Sequence, residues 1–140
     1  EHGIAPERVD LPGSSPHAEL LAYYGQVDIA LDTFPYTGGL TTLEALWMGV
    51  PVITLAGTQF VSRTGVSLLS NAGLPELIAA SPERYVELAA ELSLDVDRLS
   101  RLRAAMRTRM AASPLCDAAT FARNLEQAYR KMWRNQHDKH

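Results

Sequence analysis

The residues best suited to chemistry in this sequence are two adjacent glycines, Gly38 and Gly39, with Thr42 and Glu44 shortly after them. Glycine has no Cβ atom and tolerates positive φ, so a glycine pair lets a bound anion approach the backbone closely. A helix beginning near Thr42 would direct its free N–H groups and the positive end of its dipole at that anion. The stretch therefore predicts a diphosphate cradle, with Glu44 on the first helical turn placed to bind ribose hydroxyls.

The same residues also fit a purely structural interpretation. Thr41 and Glu44 have the spacing of a capping box, in which the two side chains satisfy amides of the first helical turn without any ligand. Gly38 and Gly39 would then form only a tight turn. Taken alone, so short a motif favours this second interpretation, because each of its parts is common. The longer segment around the motif decides between the two.

The elements that must position this loop follow from an alternation of short strand-like and longer helix-like patterns. A buried strand is predicted at residues 27–31, a short helix at 42–48 and a second strand at 52–55. The other elements predicted in this region are a weak strand at 9–11, a helix from Ser15 to about Tyr24, a helix at 62–71, a short strand at 76–79 and a helix from Ser81 to about Leu92. Such alternation predicts an α/β fold with a parallel sheet.

The alternation ends at Asp95, and two helices are predicted beyond it. The first, at residues 95–112, carries five arginines: Arg98, Arg101, Arg103, Arg107 and Arg109. Such a run could form a phosphate-binding face, but it is more typical of a solvated helix face whose aliphatic stems pack on neighbouring elements. The second helix, at 117–133, is amphipathic, and the polar residues 134–140 are predicted to fray.

Taken together, these segments resemble the donor-binding half of the protein O-GlcNAc transferase family, which includes tetratricopeptide-linked and Spindly-like glycosyltransferases. The resemblance covers nearly the full chain and rests on His17 and on segments 9–11, 27–33, 32–51, 58–63, 73–78, 113–115 and 129–133. It implies the second half of a GT-B glycosyltransferase, in which two Rossmann-like halves enclose the active site. The expected fold is therefore a partial Rossmann-like parallel sheet followed by C-terminal helices.

The predicted sheet is small for such a domain. About four strands are predicted, whereas a complete doubly wound nucleotide domain brings five or six. Residues 1–133 are therefore expected to form a nucleotide-sugar-binding domain that is incomplete at its N-terminus, with 134–140 as a polar tail. The resemblance implies that the first catalytic half and helical repeats belong to other parts of the parent protein.

Only the donor-binding residues can be carried over from the family. They are His17, Gly38, Gly39, Leu40, Thr41, Thr42 and Glu44. The resemblance implies that His17 packs on the nucleoside, that residues 38–42 hold the diphosphate and that Glu44 binds ribose hydroxyls. Leu40 departs from the polar residue usual in the family, so it can offer only its backbone N–H. No catalytic residue is assigned, because the acceptor-site histidine and the diphosphate-binding lysine have no counterpart here.

Three further residues near the loop have structural interpretations. Arg63 is expected to pair with a carboxylate near the loop rather than to bind phosphate. Asp32, which ends a predicted strand, could reach the cleft or hold the turn that follows it through local hydrogen bonds. Trp47, on the short helix, is expected in the core.

The resemblance implies an inverting transferase that moves N-acetylglucosamine from UDP-GlcNAc to a Ser or Thr hydroxyl of a protein. Backbone amides and a helix N-terminus would stabilise the departing UDP without a metal or other cofactor. The sequence has no Asp-x-Asp motif near the loop, and its four histidines are scattered. Two alternatives remain: a nucleotide-binding module without catalysis, and an α/β interaction domain whose loop binds no ligand.

Composition limits the remaining classes of partner. The formal net charge of −3 and the pI near 5.8 offer no broad basic field for nucleic acid or membranes. The single cysteine, Cys116, excludes an intrachain disulfide and suits a reducing cytosol. No apolar run approaches transmembrane length, and no signal peptide is recognised. The expectation is a soluble cytoplasmic domain.

The isolated chain is expected to transfer no sugar, because both reactants must be held in register and the partner half would supply the acceptor site. With strands missing, one sheet edge and the apolar face of residues 121–133 would be uncovered. Exposed edges and apolar faces favour association with another chain. Self-association or a marginally stable monomer is therefore predicted.

Overall fold

A computed structural model describes residues 3–137 as helices packed around a small parallel sheet. The strands are β1 (Ala30–Leu31), β2 (Val52–Leu55) and β3 (Ile78–Ala79), in the order β1-β2-β3. The helices are α1 (His17–Tyr23), α2 (Leu40–Trp47), α3 (Thr64–Asn71), α4 (Pro82–Leu94), α5 (Val96–Ala111) and α6 (Ala118–His137). Short 3-10 turns occupy Pro6–Arg8, Tyr24–Gln26, Phe60–Ser62, Pro75–Leu77 and Pro114–Cys116. The predicted α/β class and parallel sheet are confirmed.

The strands are fewer and shorter than predicted. Residues 9–11 form no strand, and both Val9 and Leu11 are exposed, so the sheet within residues 3–137 has three strands rather than about four. The strand predicted at 27–31 is reduced to Ala30–Leu31, where the two residues pair with Val52 and Ile53. A 3-10 turn takes the first residues of the predicted strand at 76–79. Backbone pairing in the tertiary structure, which local patterns do not reveal, sets these limits.

The core lies around the central strand. Val52, Ile53 and Thr54 are consecutive and all buried, so elements cover both faces of β2, as is usual in parallel sheets. The largest fully buried side chains include Leu46 of α2, Leu69 of α3 and Met106 of α5. These side chains fix α2 and α3, which follow the loop in sequence, against the sheet that carries it.

Three arginines of α5 donate to backbone carbonyls, which the prediction of a solvated face missed. Arg109 reaches the carbonyl of Gly73 at 2.6 Å, Arg103 binds that of Val27, and Arg107 Nε lies 3.1 Å from that of Trp47. The Arg107 guanidinium also lies 5.1 Å from the centre of the Trp47 ring. Trp47 is 40% exposed, so its predicted place in the core is wrong. This arginine covers the indole instead.

The last helix has no buried residue, a property that it shares with the short helix α1. It continues through His137, so residues 134–137 of the predicted frayed tail are helical, and 138–140 lie outside the described residues. Its apolar side chains are exposed, as predicted: Phe121, Leu125, Tyr129, Met132 and Trp133. None of the helices in residues 3–137 is both long enough and apolar enough to span a membrane.

Candidate functional site

The glycine loop follows β1 and leads directly into α2, which begins earlier than predicted. Its N-cap residue is Gly39, with φ −122° and ψ −89°, and Leu40 is the first helical residue. Thr41 and Glu44 therefore lie inside the helix rather than at its N-cap and third positions. No side chain among the described residues, 3–137, caps the helix, so the capping-box interpretation is wrong.

Four backbone donors remain unpaired at this helix terminus. The N–H of Gly38 donates to Asp32 Oδ1 at 2.7 Å. Within residues 3–137, the N–H groups of Gly39, Leu40, Thr41 and Thr42 have no hydrogen-bond acceptor, and the first bond of the helix runs from the Leu43 N–H to the Gly39 carbonyl at 3.1 Å. An α-helix leaves four such N–H groups, and together with its dipole they form an anion site.

The two glycines of the loop have opposite surroundings. A Cβ atom on Gly38 would lie 2.5 Å from Thr42 Oγ1 and 3.1 Å from Asp32 Oδ1. A Cβ atom on Gly39 would meet nothing within 4 Å. Gly38 is therefore required by the packing of the protein itself, whereas the open space at Gly39 lies where a ligand would approach the free N–H groups.

The two threonines that follow the glycines, Thr41 and Thr42, differ in exposure. Thr41 is exposed, and its carbonyl accepts a hydrogen bond from the Tyr24 hydroxyl at 3.2 Å. Thr42 is buried, with its hydroxyl on the side facing Gly38. Of the predicted diphosphate ligands, Thr42 therefore offers a backbone N–H, and Thr41 can offer both an N–H and a hydroxyl.

His17 and Glu44 meet although 27 positions separate them. His17 Nε2 lies 2.8 Å from Glu44 Oε1, with the imidazole 66% exposed and the carboxylate 13% exposed. Both were predicted to bind the nucleoside, but their mutual hydrogen bond was not. Tyr24, which the sequence did not single out, lies beside them: burial raises its pKa, and the negative charge of Glu44 raises it further.

Asp32 is buried and holds the loop, although it also borders one of the cavities beside α2. Its Oδ2 accepts from the Thr54 hydroxyl at 2.8 Å while Oδ1 accepts from Gly38. The turn that follows is closed by Thr33, whose hydroxyl donates to the Tyr36 carbonyl at 2.7 Å. The sequence offered no signal for Thr54, which forms part of an apolar strand.

Arg63 is not placed as predicted. Its guanidinium donates to the Gly57 carbonyl at 3.1 Å, and no carboxylate among residues 3–137 forms an ion pair with it. The nearby carboxylate, Asp32, already accepts two hydrogen bonds from other donors. Arg63 therefore stabilises the segment before α3 through a backbone contact.

Two cavities flank the N-terminal half of α2. One, of about 180 Å³, is lined by Tyr24, Leu31, Asp32, Gly38 and Thr41, among others. The other, of about 260 Å³, begins at His17 and Glu44 and continues along Leu43 and Trp47. Within residues 3–137, no three His, Cys, Asp or Glu side chains are close enough to hold a metal ion. Metal independence stays a prediction.

A glycine loop after a parallel strand, leading into a helix with an unpaired N-terminus, is the arrangement of a Rossmann-like nucleotide-binding domain. The sequence model of glycosyl transferase family 41 matches residues 1–125, and the chain belongs to this family. A solved structure of an O-GlcNAc transferase variant from Thermobaculum terrenum superimposes with a TM-score of 0.88 at 46% identity, over 95% of this chain and 26% of that one.

Similar sequences carry related names. A protein of Petunia hybrida named probable UDP-N-acetylglucosamine–peptide N-acetylglucosaminyltransferase SPINDLY is 50% identical over 94% of this chain. The UDP-N-acetylglucosamine–peptide N-acetylglucosaminyltransferase of Caenorhabditis elegans is 30% identical over 96% of it. This chain spans only 14% and 12% of those two relatives. The resemblance to the protein O-GlcNAc transferase family is confirmed.

Proposed function

We propose that the parent protein is an inverting glycosyltransferase that transfers N-acetylglucosamine from UDP-GlcNAc to Ser or Thr hydroxyls of proteins. In this proposal the present chain binds the UDP part of the donor. The observation that carries it is the set of four unpaired N–H groups at the start of α2, in a member of glycosyl transferase family 41. The names of the relatives support the choice of donor and acceptor.

The geometry fits the charge changes of such a transfer. When the bond between sugar and phosphate breaks, negative charge grows on the departing UDP. The N–H groups of Gly39, Leu40 and Thr41 are fixed in place and lie at the positive end of α2, so they can stabilise that charge without reorganising. In this proposal Leu40 acts only through its backbone, which explains why its side chain need not be polar.

The His17–Glu44 pair would hold the nucleoside. Glu44 Oε1 binds the imidazole, whereas Oε2 accepts no hydrogen bond from residues 3–137 and remains for a ribose hydroxyl. The carboxylate also fixes the orientation of the exposed imidazole, which leaves the ring face available to stack on a base. His17 and Glu44 would thus act as one unit.

The test is the affinity for UDP, measured by calorimetry on the parent protein with and without a chelator. Gly39→Val adds bulk in open space beside the free N–H groups, so we expect affinity to fall by about tenfold or more while thermal stability changes little. Gly25→Ala, which alters another open glycine outside the loop, is the matched control and should bind UDP as the wild type does. Equal binding by Gly39→Val would place the diphosphate elsewhere.

The remaining partners are proposals of the same kind. Because the chain spans about a quarter of the solved relative, we propose that the first catalytic half, the acceptor site and helical repeats belong to other parts of the parent protein. The isolated chain should show no turnover above buffer with UDP-GlcNAc and a Ser/Thr peptide. The free thiol of Cys116 fits the expected cytosolic location.

A further inference from the structure

We infer that Asp32 is the positioning residue of the donor loop, fixing the backbone at Gly38 so that the next four N–H groups face the diphosphate. The inference rests on the proposed function, because it names the group that prepares the same site. Asp32 would not touch the donor. It would act through the Gly38 amide.

The carboxylate connects the loop to the middle of the sheet. Asp32 is 7% exposed, and each of its oxygens accepts one hydrogen bond, from the Gly38 N–H at 2.7 Å and from the Thr54 hydroxyl at 2.8 Å. Thr54 is fully buried in β2. A hydrogen bond to a buried carboxylate is stronger than one between neutral groups. The loop is therefore tied to the buried central strand of the sheet.

A second set of bonds holds the other side of the loop. Thr37 donates through its N–H and its hydroxyl to the Val61 carbonyl, both at 3.0 Å. Its hydroxyl also accepts from the N–H of Gly65 in α3 at 3.2 Å. Because Thr37 and Gly38 are both held in place, the free N–H groups that begin at Gly39 start from a defined position.

The packing is tight on the side of the carboxylate that faces α3. A Cβ atom on Gly65 would lie 2.4 Å from Asp32 Oδ2 and 2.4 Å from Thr54 Oγ1. The first turn of α3 thus reaches the carboxylate directly, and its N-terminal dipole offsets the negative charge. A glycine is required there because the carboxylate occupies the space that a side chain would fill.

The negative charge of Asp32 favours a positioning role over direct contact with the diphosphate. A carboxylate near an anion site repels a diphosphate, so an arrangement selected for attraction alone would not place one under this loop. Burying a charge is also costly unless it is hydrogen-bonded. The two bonds explain the presence of Asp32, because an ionised oxygen holds the Gly38 amide more firmly than a neutral acceptor does.

The experiment uses the parent protein and three variants: Asp32→Ala, Asp32→Asn and Thr54→Val. Asp32→Ala removes the acceptor for Gly38, and we expect UDP affinity to fall about tenfold or more. Asp32→Asn keeps an acceptor oxygen and should stay within about threefold of the wild type. Thr54→Val breaks the bond on the far side of the carboxylate but keeps the acceptor for Gly38, so it should lower thermal stability and weaken UDP binding much less than Asp32→Ala does.

Hydrogen exchange of the peptide spanning residues 33–39 provides a readout that needs no ligand. The Gly38 amide should exchange faster in Asp32→Ala than in Thr54→Val. The inference is overturned if Asp32→Ala binds UDP as the wild type does, if Asp32→Asn is as weak as Asp32→Ala, or if Asp32→Ala and Thr54→Val lose affinity in proportion to their loss of stability. A wild-type protein that does not bind UDP overturns the proposed function instead.

Discussion

The two ends of α2 differ in whether their terminal backbone groups are hydrogen-bonded. At its C-terminus, the last four carbonyls all accept hydrogen bonds: Glu44 from Met48, Ala45 from Val50, Leu46 from Gly49 and Trp47 from Arg107. At its N-terminus, the N–H groups of residues 39–42 find no acceptor within residues 3–137. The same eight-residue helix is complete at one end and open at the other.

This difference shows which backbone groups of α2 are available to a ligand. Every helix begins with four unpaired donors and ends with four unpaired acceptors, and folded proteins usually satisfy them with caps or water. Here α5 supplies an arginine to the C-terminal end, where its positive charge also suits the helix dipole. The loop supplies a bare glycine to the other end. In the proposed function, the satisfied end of α2 serves stability and the open end serves the donor.

The largest effects should separate the two glycines at the open end. Gly38→Ala places a Cβ atom 2.5 Å from Thr42 Oγ1, so we expect it to lower the free energy of unfolding by about 1–3 kcal/mol and to weaken UDP binding as well. Gly39→Ala meets no neighbour and should leave stability nearly unchanged. Denaturant unfolding and calorimetry check both. Equal destabilisation by the two variants would remove the distinction between a packed and an open glycine.

The next effect concerns Glu44, which lies beside the open end. Because the helix begins at Leu40, Glu44 has no capping role to lose. Glu44→Gln should therefore leave stability nearly intact and weaken UDP binding by about 1–2 kcal/mol, the size of one charge-assisted hydrogen bond. His17→Gln is a useful companion variant, because it keeps a donor for Glu44 while removing the ring. A loss of stability with intact binding would show that Glu44 is only structural.

The mistaken capping-box interpretation of Glu44 shows what the sequence could and could not predict. Gly38, Gly39 and the strand–helix alternation are local features, and they placed the loop and the sheet class correctly. The helix start was wrong because its N-cap residue, Gly39, has no side chain to form a cap, and Thr41 and Thr42 offered more typical capping side chains. The spacing of Thr41 and Glu44 matched a capping box by coincidence.

The contacts that complete the site were beyond local patterns. His17 and Glu44 are 27 positions apart, Asp32 and Thr54 are 22 apart, and Trp47 and Arg107 are 60 apart. Each pair forms only because the fold brings two elements together. Arg103 and Arg107 likewise resembled members of a solvated face until their carbonyl partners were located. The sequence identified candidate site residues, whereas the tertiary packing determines which of them are in contact.

At the closed end, Arg107→Ala should lower stability without touching the ligand. It removes one hydrogen bond to the Trp47 carbonyl and a cation–π contact, so we expect a loss of about 1–2 kcal/mol in the free energy of unfolding. Arg101→Ala, at an exposed arginine of the same helix, is the matched control and should change stability little. If Arg107→Ala is fully folded and still binds UDP more weakly, the two ends of α2 are coupled.

The smallest effect should come from Tyr24, whose hydroxyl donates to the Thr41 carbonyl at 3.2 Å. Tyr24→Phe should cost about 0.5–1 kcal/mol of stability at neutral pH.

Burial, and then the charge of Glu44, raises the pKa of Tyr24 above its ordinary value of 10.0. The folded state therefore holds this proton more tightly than the unfolded state, so stability is fully present below the unfolded pKa and is lost as pH rises through the folded one. Unfolding measured from pH 7 to pH 11 should show a steeper decline above pH 10 for the wild type than for Tyr24→Phe. Parallel curves would show that Tyr24 titrates alike in both states and does not sense Glu44.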